Sequence, residues 1–139
     1  MVSKVLVPMD DSEMAEKALE FALEVHPDAD ITVIHIVGEP SPFFGEATGI
    51  AIADDVEEVA KERAADVFER ARKIAKEHDA DIRTQFALGQ PAKSIVRQAA
   101  NYDLVVIGSH GRHLRSRMLM GNIAEKVSRR SPVPVTIVR

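Results

Sequence analysis

Apolar residues in this chain fall into two alternating rhythms. Short, nearly continuous runs stand at Val5-Leu6-Val7, Ile31 to Val37, Leu104 to Ile107 and Val133 to Val138. Longer stretches between them carry apolar residues at helical spacing. The first run ends at Pro8, and the N-cap types Asp10, Asp11 and Ser12 follow. They open a helix with Ala15, Ala18, Leu19, Ala22 and Val25 on one face, stopped near His26-Pro27. After the second strand, 38–49 reads as a loop containing Phe43 and Phe44. A long helix follows from about Ile50 to His78, with Val56, Val59, Ala60, Val67, Phe68, Ala71, Ile74 and Ala75 as its stripe. Its acidic cluster, Asp54 to Glu58, reads as a solvated face that complements the helix dipole.

From Asp81 to Ala87 the pattern changes to strict alternation, Ile82, Thr84 and Phe86 against Arg83, Gln85 and Ala87. That is a third strand. Gly89-Gln90-Pro91 turns into a short helix buried through Ile95, Val96 and Ala99. The fourth strand, Asp103 to Ile107, runs into a glycine loop, and a helix spans Ile123 to Arg130. Ser131-Pro132 ends it before the last strand, Val133 to Val138.

Strands alternating with helices predict right-handed parallel crossovers and an α/β sheet, doubly wound, with helices on both faces. Strands one, two and four are nearly continuous apolar runs, as interior strands are. Strand three alternates and strand five carries Pro134, so both belong at edges. The order 3-2-1-4-5 satisfies all of this. The order 2-1-3-4-5 ranks second, because it exposes the apolar strand two. In 3-2-1-4-5 the order reverses between strands one and four, and ligands bind such sheets at the carboxyl ends beside that reversal. Pro8-Met9-Asp10 and the loop from Gly108 to Gly121 meet there, with Ile36 next door.

The loop Gly108-Ser109-His110-Gly111, nine more residues, then Gly121-Asn122-Ile123 combines glycines with a helix start. Glycine lets backbone amides approach a ligand, and a helix N-terminus offers unpaired N–H groups and a positive dipole end. The pair makes a phosphate cradle. It is neither a Walker loop nor the dinucleotide fingerprint. Arg112 adjoins Gly111 and reads as a phosphate contact, whereas Arg115 and Arg117 read as solvated charges. His110 and His113 lack a third partner for a transition-metal site. Asn122 and Glu125 also fit an N-x-x-E capping box, which accounts for them without a ligand. Phe43 and Phe44 fit either a lid over a base or loop packing.

Composition narrows the classes. A chain of 139 residues fits one domain, residues 1–139. A formal charge of −4 argues against nucleic-acid or membrane-surface binding. There is no cysteine, and Met1-Val2-Ser3-Lys4 leads into a strand without a signal-peptide core, so the cytoplasm is expected. No apolar run reaches membrane-spanning length. No serine has a His–Asp context, and no residue positions an attacking water, so any hydrolysis of a phosphate ligand is expected to be slow.

Several segments together resemble the universal stress protein family. They are Val5 to Ser12, His35-Ile36-Val37, Gly89-Gln90-Pro91-Ala92, Val106 to Gly111, Gly121 to Val127 and Ser131 to Val135. The resemblance covers essentially the whole chain. It implies an open five-stranded parallel sheet and a homodimer through the last strand. Its ATP-binding branch carries G-x2-G-x9-G followed by serine or threonine, where this chain has Asn122. Carried over residue by residue, Asp10 would hold the ribose and Ile36 would lie against the adenine. Gly108, Gly111, Gly121, Asn122 and Ile123 would receive the phosphates of ATP, with or without Mg2+. Stress-response regulation through an adenine nucleotide is the implied function. A dimeric interaction module without nucleotide is the alternative from another class.

Overall fold

A computed structural model gives the fold, describing residues 1–38, 46–110 and 120–139, with side chains of the long second helix from Glu58 onward. Phe43, Phe44, Gly111, Arg112, His113, Arg115 and Arg117 lie outside the described residues. The elements run β1 (Lys4–Pro8), α1 (Glu13–Val25), β2 (Asp30–Val37), α2 (Glu46–Glu77), β3 (Ile82–Leu88), α3 (Pro91–Ala99), β4 (Leu104–Gly108), α4 (Asn122–Arg130) and β5 (Val135–Val138). All strand pairs are parallel, and the order is β3-β2-β1-β4-β5, as the apolar patterning predicts.

Two apolar layers sandwich the sheet. On one face α1 and α2 pack through Ala15, Ala18, Leu19, Ala64, Val67, Phe68 and Ala71 onto Val5, Val7, Val33 and Val106. On the other, α3 and α4 pack through Ile95, Ala99, Ala124 and Val127 onto Leu6, Ile34, Val105 and Ile107. Successive strand residues face opposite layers, so both faces of the inner strands are covered. Fully buried side chains such as Leu6, Leu19, Ile34 and Ile74 each contribute about 1.5–3 kcal/mol. At the amino ends of the strands, the Asp103 carboxylate accepts the Ser3 N–H at 2.9 Å and the Lys4 N–H at 3.0 Å. Those two bonds, Ser3's first, hold its carboxyl below the ordinary value and pin β1 beside β4.

Some boundaries differ from the sequence pattern. α2 starts at Glu46, ahead of the expected Ile50, so the helix runs through Gly49. Val25 and Val59 are 51% and 47% exposed, off the faces assigned to them. Val25 closes its helix, and Val59 sits one residue, or about 100° of helix, from the Ala60 face. β5 begins at Val135 rather than Val133. Pro134 still joins the sheet, its carbonyl accepting the Val105 N–H at 3.0 Å. A strand residue turns its N–H and C=O to the same side, so the donor that Pro134 lacks faces β4. The free edge keeps the N–H groups of Val135 and Ile137.

Gly108 ends β4 under α1. A Cβ there would stand 2.9 Å from both the Met14 Cγ and the Met14 carbonyl oxygen. That is too close for any side chain unless the helix backs away. Gly108→Ala is therefore expected to lower stability by about 1–3 kcal/mol, the usual range for overpacking. Gly38, with no atom of the described residues within 4 Å of its built Cβ, is the control, and Gly38→Ala should change stability by less than about 0.5 kcal/mol. Urea unfolding of both variants checks this; equal midpoints would contradict it.

Candidate functional site

At the carboxyl edge of the sheet the β1 and β4 ends part and leave a cleft of about 1000 Å³. On the β1 side the Met9 N–H donates to the Ile34 carbonyl at 2.9 Å. The Met9 carbonyl accepts from His35 Nδ1 at 2.7 Å, which fixes that ring as the Nδ1–H tautomer. His35 is thus a satisfied strand residue, as its sequence position suggests. Asp10 Oδ1 accepts the Ser12 N–H at 2.9 Å, and Ser12 Oγ caps α1 by accepting the Ala15 N–H at 3.2 Å. Asp10 so has a structural duty in the turn, and it still lines the cleft.

On the β4 side Ser109 fastens two elements through its backbone. Its N–H donates to the Val138 carbonyl at 2.7 Å, and its carbonyl accepts the Gly121 N–H at 2.6 Å. A Cβ on Gly121 would meet the His110 Cα at 3.2 Å and the Ser109 oxygen at 3.3 Å, so the crowding favours glycine. Gly121, not Asn122, is the N-cap of α4, and among the described residues no side chain caps the helix. The capping-box expectation is therefore corrected. Asn122 is the first helical residue, and the close approach of Gly121 to Ser109 sets the helix start one residue early. The first backbone bond of the helix runs from the Glu125 N–H to the Gly121 carbonyl at 2.9 Å. The N–H groups of Asn122, Ile123 and Ala124 stand before it, outside the helical ladder. Glu125 pairs with Arg129 at 2.9 Å, which draws its carboxylate down the helix.

The cleft gathers most of the residues that the sequence singles out. Pro8, Met9, Asp10 and Ile36 line it from β1 and β2, and Gly108, His110, Gly121, Asn122 and Ile123 line it from β4 and α4. Ser109 is not on its surface; it lies beneath, 3% exposed. Gly111 and Arg112 lie outside the described residues.

Two walls went unread in the sequence. Pro91, Ile95 and Ile107 continue from Ile36 as an apolar side against α3. Opposite, α2 presents Arg63, Asp66, Val67 and Arg70. Their i, i+3, i+4, i+7 spacing marks one helix face, but charged residues at that spacing read as a solvated surface. Arg70 Nε meets Glu16 Oε1 at 2.7 Å, tying α2 to the first turns of α1. That partnership holds the Arg70 guanidinium above its ordinary value, the Glu16 hydrogen bond being the largest cause. The pair is solvent-screened and adds little to stability.

Comparison with known proteins agrees with this architecture. The model of the universal stress protein family matches residues 1–139. The universal stress protein YxiE of Bacillus subtilis is 31% identical, with all of each chain covered. A universal stress protein solved in complex with cAMP shares the fold at a TM-score of 0.73 and 23% identity, covering 99% of this chain and 97% of the other. An Arabidopsis thaliana family protein solved with AMP bound shares it at 0.69 and 18% identity, covering 98% and 90%. With a family model matched from end to end and a relative alike over its full length, this chain belongs to the universal stress protein family.

Proposed function

We propose that this protein binds ATP in the β1–β4 cleft and acts as a nucleotide-dependent regulatory protein of the stress response, as one domain over residues 1–139. The observation that carries this reading is the start of α4. Three N–H groups stand outside its ladder, and a glycine in a space tight for a Cβ brings the chain close beside them. A helix N-terminus of this kind favours anionic oxygens. The remaining lining suits the rest of a nucleotide. Asp10 keeps Oδ2 as an acceptor for ribose hydroxyls, and Ile36, Pro91 and Ile95 supply an apolar slot for the base. Among the described residues no three His, Asp or Glu side chains gather into a metal site, so Mg2+ in this reading travels on the triphosphate. The cAMP- and AMP-bound relatives of the same fold support an adenine nucleotide.

The rival reading, an interaction module without nucleotide, explained Asn122 and Glu125 as a cap. Gly121 as N-cap and the Glu125–Arg129 pair leave that explanation without its bond. Asn122 is exposed at the first helical position, so replacing it should leave thermal stability nearly unchanged. Asn122→Ser keeps a donor and should keep or improve ATP affinity. Asn122→Asp sets a carboxylate against the phosphates and should weaken binding about tenfold or more, roughly 1.4 kcal/mol. Titration calorimetry with thermal melts on the three proteins decides. Equal ATP affinity in all three, or none in any, would remove the phosphate role of Asn122.

The second part of the proposal is a homodimer through β5. This strand is an edge, and the N–H groups of Val135 and Ile137 face away from β4. Such an edge invites pairing, and a two-fold axis would make the pairing antiparallel. Sedimentation at micromolar concentration should show a dimer for the wild type and a monomer for Ile137→Pro, whose circular dichroism stays folded. A monomeric wild type, or a variant that remains dimeric, overturns this arrangement.

A further inference from the structure

Ser109 is 3% exposed, and its backbone is held on both sides, by Val138 and by Gly121. Its side chain has one partner among the described residues: Oγ lies 3.1 Å from Nδ1 of His110. The direction of that bond follows from proton accounting. A neutral imidazole has one donor nitrogen and one acceptor nitrogen, and a serine hydroxyl has one proton to give. If Nδ1–H donated to Oγ, the hydroxyl proton would be buried without an acceptor, which is costly. If Oγ–H donates to Nδ1, every group at the contact is matched. The ring proton then sits on Nε2.

We propose that Ser109 is a positioning residue that fixes neutral His110 as the Nε2–H tautomer, so that the ring serves the phosphate end of the cleft as a hydrogen-bond donor. His110 is the member of the pair that lines the cleft, and its Cα lies against Gly121 at the start of α4. Its N–H joins the three amides of α4, and all four groups donate only. A ligand made solely of acceptors, a phosphate ester, matches that set. The same bond removes His110 as a base: Nδ1 has its lone pair engaged by Ser109, and Nε2 carries the proton. A histidine beside a bound phosphate would otherwise be the obvious group to activate a water. The arrangement therefore selects retention of the nucleotide over hydrolysis. The ligand half of this inference rests on the nucleotide reading; the tautomer does not.

Imidazole proton–nitrogen correlation spectra of the full chain test it, with His110 assigned by the signals that vanish in His110→Gln. The neutral ring of the wild type should be Nε2–H. Ser109→Ala should show a mixture of tautomers, and Ser109→Thr, which keeps the hydroxyl, should restore Nε2–H. In calorimetry Ser109→Ala should bind ATP about five- to tenfold more weakly, the scale of one hydrogen bond. Its affinity for adenosine, which has no phosphate, should not change. A wild type that binds ATP with His110 as Nδ1–H overturns the inference and leaves the nucleotide reading standing. Equal losses for ATP and adenosine, or no loss for either, overturn it as well. A wild type that binds neither overturns the nucleotide reading and the ligand half with it, and the spectra alone then decide the tautomer.

Discussion

The carboxyl end of β4 is where this structure has least room, and the site depends on that. Gly108 lies flat under α1 because Met14 leaves no space for a Cβ. One residue on, Ser109 takes the end of β5 on its N–H and the start of α4 on its carbonyl. Gly121 reaches that carbonyl in a space where a Cβ would crowd the Ser109 oxygen and the His110 Cα. Three elements thus converge on two adjacent residues by backbone contact. Backbone contacts of this kind vary little with side-chain motion, so the start of α4, with Asn122, Ile123 and Ala124 lining the cleft, is held in place before any ligand arrives. Preorganised donors of that sort cost little to use, because their ordering is already complete in the folded chain.

The two sides of the cleft divide the work differently. The α3 side is apolar and continuous with the core under the sheet, so it is rigid for the same reason the core is. The α2 side is charged, and the Glu16–Arg70 pair joins it to α1. Phe68 meets His35 edge to face at a centroid distance of 6.5 Å, which sets the height of α2 against β2. Arg63 and Asp66 precede Phe68 on the helix and so stand higher, about the level of the strand end. A ligand over Ile36 would have a hydrocarbon wall on one side and a charged one on the other.

Much of this was legible in the sequence. Continuous apolar runs in strands one, two and four, against alternation in strand three and Pro134 in strand five, were enough to order the sheet. The reason is physical: a strand covered on both faces cannot alternate. The ordered sheet then located the cleft, since Pro8-Met9-Asp10 and Gly108 had to meet at the reversal. What could not be read depends on tertiary contact. Asn122 looked like a cap because Asn and Glu three residues apart are a familiar helix start. Gly121 took the position because Ser109, twelve residues earlier, holds its N–H. Gly108 reads as a ligand glycine and does line the cleft; its crowding by Met14, in another helix, is a second reason for glycine that the sequence does not show. The α2 wall escaped notice because Arg63, Asp66 and Arg70 resemble any exposed helix surface. The burial of Ser109 beneath its neighbour His110 was equally invisible in a run of small and polar residues.

The central claim is that the first amides of α4 receive the phosphates of an adenine nucleotide. Backbone amide spectra recorded during titration with ATP, and separately with adenosine, test it most directly. The account predicts that the amides of Asn122, Ile123 and Ala124 move strongly with ATP and hardly at all with adenosine, while residues beside Ile36 respond to both. Amides of α4 that stay in place as ATP saturates the protein, or that move equally with adenosine, would contradict it.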